Sequence, residues 1–223
     1  MKPIAHIRSD FPTKFGIPRQ SGIIGSLHAR VVFAPEYRNI DALRGLEAFS
    51  HIWLIWEFSE ARHEGWSPTV RPPRLGGNKR MGVFATRSPF RPNPLGLSAV
   101  RLLDIVCDHD LGPILIIGGA DLMDGTPIYD IKPYLPYADC LPNATAGFAP
   151  QPSEHILTVE FPEVLLNKIP QNLRQGLSDV LANDPRPQYH NDSDRIYGML
   201  FSNLEIRFRV ADDTLIVVAV NEV

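Results

Sequence analysis

Two groups of residues in this chain have the types and spacing that chemistry uses. In Arg87-Ser88-Pro89-Phe90-Arg91-Pro92-Asn93-Pro94, two guanidinium groups and an amide are held between three prolines. Proline fixes φ and biases the preceding residue toward extended backbone, so such a loop loses little entropy on ordering. A rigid loop with bidentate-capable groups suits an anionic or multi-donor ligand, and a stiff surface crossover is the plainer alternative. The second group is Asp121-Leu122-Met123-Asp124-Gly125-Thr126-Pro127, followed at once by Ile128-Tyr129-Asp130-Ile131-Lys132-Pro133-Tyr134. Gly125 permits a positive φ or close approach to a ligand, although a lone Asp-Gly is usually only a turn. Asp130, Lys132 and Tyr134 then put an acid, a base and a phenol along one extended path. Buried charges must be paired, so a core strand rarely collects such residues without a use.

The surroundings of the first group are basic. From Arg62 to Arg101 the chain carries Arg62, Arg71, Arg74, Lys79, Arg80, Arg87, Arg91 and Arg101 against one acid, Glu64, while the whole chain has a net charge of −3. A positive field on an acidic body favours a phosphate-bearing partner docked in one place over indiscriminate nucleic-acid binding. A solvated basic loop remains the alternative. Several function classes drop out. The sequence has no GxGxxG after a strand, no GxxxxGK[ST], no HExxH and no GxSxG, so a Rossmann site and a P-loop are not expected. Cys107 and Cys140 stand alone, with no spacing for zinc or a redox pair, and reduced thiols in a cytosolic protein are the simplest account. No run approaches membrane-spanning length and the N-terminus lacks a signal-like apolar stretch.

The elements that must position these residues read as mainly β. Short Val/Ile/Leu/Phe/Trp-rich segments bounded by turn residues predict strands over Ile4–Ile7, Ser26–Phe33, Ser50–Phe58, Arg80–Ala85, Leu97–Cys107, Ile114–Gly118 and Thr126–Ile131. The near-continuous apolarity of His51–Phe58 predicts a central strand covered on both faces. A short helix is expected over Asn39–Leu46. Many short strands suggest a barrel or a strongly curved sheet. A linker-like stretch, Pro142–Glu154, separates a first domain (residues 1–142) from a small α+β appendage (residues 155–223). There, Gln171–Ala182 has a helical apolar face, stopped by Asn183-Asp184-Pro185-Arg186-Pro187, and strands are expected over Tyr197–Leu200, Leu204–Val210 and Leu215–Val220.

The run Gly82–Pro94 that contains the first loop, together with Asp124-Gly125-Thr126-Pro127 and Asp130-Ile131-Lys132-Pro133-Tyr134, resembles the TrmO (TsaA-like) family of tRNA methyltransferases. Pro18-Arg19-Gln20, Arg44–His51 and Thr69–Asn78 are similar to that family too, and Asp184–Pro187 resembles its bacterial C-terminal domain. The resemblance implies an S-adenosylmethionine-dependent enzyme with a β-barrel-like domain, neither Rossmann nor trefoil-knotted, acting as a cytoplasmic homodimer without a metal. It implies methylation of N6 in threonylcarbamoyladenosine next to the anticodon of tRNA. By motif, the cofactor would meet Gln20, Ser21, Gly22, Phe58, Ser59, Arg87, Leu97, Leu122, Asp124, Gly125 and Thr126. Ser59-Glu60 stands where the family more often carries longer polar side chains.

On that footing Arg87 suits the cofactor carboxylate, Asp124 and turn carbonyls the ammonium, and Leu97 with Leu122 the adenine. Asp130, helped by Tyr134, is the expected acceptor of the N6 proton, and Lys132 steadies developing charge or binds the threonyl carboxylate. Arg71, Arg74, Lys79, Arg80 and Arg91 are expected on anticodon-stem phosphates. Two other classes are compatible with parts of the pattern: a small-molecule S-adenosylmethionine methyltransferase, and a non-catalytic cofactor- or tRNA-binding module.

Overall fold

The computed structural model describes residues 1–61, 65–149, 156–186 and 192–223, with the side chain of Arg74 outside the description. Arg62 and Glu64, residues 150–155 of the expected linker (including the expected start of the second domain) and Pro187 lie outside the described residues.

The first part holds β1 (Ala5–Arg8), β2 (His28–Phe33), β3 (His51–Glu57), β4 (Thr69–Val70), β5 (Met81–Gly82), β6 (Leu95–Asp108), β7 (Gly112–Gly118) and β8 (Pro127–Pro133), then a single-turn helix α1 (Pro136–Asp139). The second part adds β9 (Thr158–Glu160), α2 (Glu163–Leu166), α3 (Gln171–Ala182), β10 (Tyr197–Phe201), β11 (Leu204–Ala211) and β12 (Thr214–Glu222).

Six strands close into a hydrogen-bonded ring in the order β1-β2-β7-β6-β3-β8. β6 makes closure possible. It is 14 residues long and shifts register between Leu102 and Asp104. Its first half pairs with β3 and its second with β7, and a bulge bends and twists a strand in this way. The β1–β8 seam has only two registered pairs, Ala5 with Ile128 and His6 with Pro127. Many short strands suggested a barrel or a strongly curved sheet, and the result is a mainly β, closed ring of unequal strands.

Alternation fills the ring. Ile52, Leu54 and Trp56 of β3 join Ile7, Val31, Val100, Leu115, Ile117, Leu122 and Ile128 in one core. The opposite face of β3, with His51, Trp53 and Ile55, is only half-buried, so this strand is covered on one face and not on both as expected. The Asn39–Leu46 segment forms a 3-10 turn over Ile40–Leu43, with the Asn39 side chain accepting from the Asp41 amide. Likewise the Arg80–Ala85 strand shrinks to two residues and passes into a 3-10 turn over Val83–Ala85.

The second part is a four-stranded sheet in the order β10-β11-β12-β9, with α3 against it. α3 coincides with its expected bounds, and Leu177, Val180 and Leu181 form its buried face. The core beneath it also contains Phe11, Ile24 and Leu27 from the loop between β1 and β2. Phe11 meets Phe201 edge-on at 5.5 Å, and the Ser202 amide donates to the Asp10 carbonyl at 2.7 Å. Ser26 hydrogen-bonds Asp179 of α3. The long first loop is thus packed on the second sheet.

Candidate active site

A cavity of about 790 Å³ opens where the end of β3, the start of β6, the 86–93 loop, residues 17–20 and the 121–126 turn meet. That volume lies in the ~300–1,000 Å³ range of small-molecule sites. Its floor depends on one glycine. Gly96 stands opposite Trp56 in the β3–β6 register, and a Cβ there would come within 2.2 Å of the indole. With no side chain at 96, the Trp56 ring packs against the backbone of the neighbouring strand, and its centroid sits 4.3 Å from that of Phe58.

A polar chain runs inward from this floor. Trp56 Nε1 donates to Ser98 Oγ at 3.0 Å, and Ser98 donates to Asp121 Oδ1 at 2.6 Å. Among the described residues Ser98 is the only side chain hydrogen-bonded to Asp121, and no cation lies within ion-pair distance of it. Burial pushes the Asp121 carboxyl above the usual carboxylate range, opposed by the Ser98 hydroxyl, the amides of Asp121 and Ser21, and the charge of Arg87.

The loops around the cavity are pinned by backbone bonds. The Gly22 amide donates to the Gly119 carbonyl at 2.8 Å. Gly119 has φ +74°, and a Cβ on it would stand 3.2 Å from the Gly22 backbone, so close approach requires glycine there. Arg87 reaches across to the Gln20 side-chain carbonyl, joining the 17–22 loop to the proline-rich loop. In the turn, the amides of Asp124 and Gly125 donate to Phe11 and Ile7 carbonyls at 2.8 and 3.0 Å. At the rim Lys14 pairs with Glu60 at 3.1 Å.

Of the residues expected at a cofactor, Gln20, Phe58, Ser59, Arg87, Leu97 and Thr126 line this cavity. Ser21 contributes its amide beside Asp121. Gly22, Leu122, Asp124 and Gly125 do not line it. Leu122 is in the ring core, and the Asp124 carboxylate accepts from the Ser9 amide at 3.0 Å and from Arg8 at 3.3 Å. Asp121, Trp53, Trp56 and Gly96 line the cavity without having been singled out as ligand contacts, and Met123 does so from within the Leu122–Thr126 turn expected at the cofactor.

Asp130, Lys132 and Tyr134 lie beside the cavity, not in it. Asp130 registers with Ile55 and Lys132 with Trp53, which puts both on the outer face of the ring. They form an ion pair of 3.0 Å. Tyr134 stands 5.5 Å from the Trp53 ring, and Trp53 lines the cavity, so one indole connects the two regions. Arg71, Lys79 and Arg80 are exposed around the two-stranded arm of β4 and β5. Arg91 lines the cavity and donates to the Thr86 carbonyl at 3.0 Å. Among the described residues no group of three His, Cys, Asp or Glu side chains could hold a metal ion, and no helix is long and apolar enough to cross a membrane.

Comparison with known proteins agrees with this architecture. Residues 6–140 match the family model of the tRNA-methyltransferase O N-terminal domain, and residues 154–223 match that of the TrmO C-terminal domain. The chain is 45% identical over 217 residues to a tRNA (adenine(37)-N6)-methyltransferase of Escherichia coli K12, covering 94% of this chain and 92% of that one. It is 40% identical to a Pseudomonas aeruginosa protein named as a putative S-adenosylmethionine-dependent methyltransferase, over 97% of this chain and 94% of the relative. A crystal structure of TrmO from P. aeruginosa superposes with a TM-score of 0.79 at 34% identity, covering 99% of this chain and 95% of that one. With both domain models matched in order along one chain, this protein belongs to the tRNA-methyltransferase O family.

Proposed function

We propose that this protein transfers a methyl group from S-adenosylmethionine to N6 of threonylcarbamoyladenosine next to the anticodon of tRNA. The observation that carries the reading is the cavity itself, which sets Arg87 and a half-buried Asp121 against apolar walls of Trp56, Phe58 and Leu97. Those walls suit a purine, and the two charged groups suit an amino-acid end, so the residues present fit this cofactor. When bound, the cofactor supplies an electrophilic methyl group.

The chain's own residues have three tasks. The cavity walls hold the donor, with Arg87 available to its carboxylate. Trp53 and Tyr134 form an aromatic edge between the cavity and the Asp130–Lys132 pair, where an unstacked base can lie. Asp130 takes the proton as N6 acquires the methyl, and Lys132 steadies the ureido carbonyl or the threonyl carboxylate. Arg71, Arg74, Lys79, Arg80 and Arg91 seat the anticodon stem. Trp66 and Phe84 flank the short arm, 51% and 71% exposed with rings 6.0 Å apart, and offer stacking surface to loop bases. A cytoplasmic homodimer, implied by the family resemblance, belongs to the same proposal, and sedimentation velocity tests the dimer.

The decisive experiment measures methyl transfer to tRNA prepared with and without the threonylcarbamoyl group. Transfer only to the modified tRNA is expected, with Asp130→Asn inactive but unchanged in cofactor affinity. Methylation of both tRNAs alike removes the threonylcarbamoyl group from recognition, and full turnover by Asp130→Asn removes Asp130 from the chemistry. A small-molecule methyltransferase or a non-catalytic binding module would methylate neither tRNA.

A further inference from the structure

We infer that Asp121, and not Asp124, is the anchor for the α-ammonium group of the bound methyl donor and of its demethylated product. The inference rests on the reading that this cavity takes S-adenosylmethionine. Four carboxylates are within reach of the region, and three are already engaged. Glu57 accepts the Tyr129 hydroxyl, Glu60 pairs with Lys14 at the rim, and Asp124 is held by Arg8 and the Ser9 amide outside the cavity lining. Asp121 lines the cavity, is desolvated, and among the described residues has one hydroxyl and no cation as side-chain partner.

A partly desolvated carboxylate without a counter-charge is costly, and perturbed groups of this kind concentrate at functional sites, where a ligand can supply the charge. Arg87 faces the same cavity and is close enough to act on Asp121 electrostatically. Yet its guanidinium is bonded to Gln20, and the two do not form an ion pair. Opposite charges facing one space without closing on each other match an α-amino-acid zwitterion, with the carboxylate toward Arg87 and the ammonium toward Asp121. The Trp56–Ser98 chain holds one carboxylate oxygen of Asp121, and Asp121 lines that space.

The test is calorimetric titration of wild-type and Asp121→Asn protein with two nucleosides: S-adenosylhomocysteine, and its analogue with hydrogen in place of the amino group. Wild type is expected to bind the deaminated analogue roughly 30-fold or more weakly than S-adenosylhomocysteine, the usual size for removing one partner of a buried charge pair. Asp121→Asn is expected to lose a similar factor toward S-adenosylhomocysteine and to bind the two ligands alike, which is the coupling signature of a direct contact. Equal binding of both ligands by wild type overturns the inference without any variant. So does Asp121→Asn that weakens both ligands equally, since that is a change of cavity shape. Failure of wild type to bind S-adenosylhomocysteine at all instead defeats the cofactor reading of the cavity.

Discussion

Asp121 combines partial burial with a place in the cavity lining, and those two properties pull against each other whenever no cation is bound there. Because burial raises its folded-state pKa, the folded chain binds a proton more readily there than the unfolded chain does. Its contribution to stability is therefore fully present below the unfolded carboxyl pKa and is lost as pH rises through the raised folded value. At neutral pH the ionised group is a liability that a cationic ligand would relieve. Asp121→Asn is expected to raise the stability of the ligand-free protein at pH 7 by ~1 kcal/mol, a gain typical of neutralising a functional group, with little change at pH 4. Thermal unfolding at both pH values checks this, and a variant less stable than wild type at pH 7 would show that the carboxylate is paired after all. The other cavity charges (Lys14, Arg19, Glu57, Glu60, Arg87 and Arg91) are common to both proteins, so the comparison isolates residue 121.

At the scale of elements, the loop between β1 and β2 links the two cores. It gives Phe11, Ile24 and Leu27 to the second core and Ile17, Pro18, Arg19 and Gln20 to the cavity wall. The sheet of β9–β12 therefore acts as a backing plate for one wall of the site. Phe201→Ala is expected to cost about 3–5 kcal/mol of stability, as for other buried phenylalanines, and also to weaken S-adenosylhomocysteine binding severalfold while the protein stays folded. Phe208→Ala, equally buried but stacked on Tyr197 at 5.6 Å, should cost similar stability and leave binding unchanged. Equal affinities in the two variants would remove the backing role. This coupling was not legible in the sequence. The strands were, because alternation and turn residues are local signals: α3 coincides with its expected span, and β10, β11 and β12 differ by a few end residues. Ring closure through the bent β6, and the burial of Phe11 against Phe201, depend on contacts far apart in sequence. So does the cavity set. Gln20, Arg87 and Leu97 came from motifs, whereas the Trp56–Ser98–Asp121 chain exists only because register brings β3 and β6 together beside the 121–126 turn.

For the whole molecule, the proposed function sets RNA binding on the basic arm and cofactor binding in the cavity. The chain is acidic overall, and the described part of the basic stretch, from Arg71 to Arg101, includes the arm of β4 and β5 and the proline-rich loop that lines the cavity. Arg71, Lys79 and Arg80 are exposed and do not line the cavity, so they can be removed without touching its wall. Each phosphate contact releases condensed counterions, and binding weakens with salt in proportion to the number of contacts. If all three side chains sit on phosphates, replacing them together with alanine should flatten the log–log salt dependence of tRNA binding by roughly 2–3 units. Affinity for S-adenosylhomocysteine should stay at the wild-type value. Filter binding of modified tRNA across a salt series, paired with calorimetry of the cofactor product, measures both. An unchanged salt slope would move the RNA to another face of the ring, whereas a flattened slope with intact cofactor binding separates the surface that seats the anticodon arm from the cavity that holds the methyl donor.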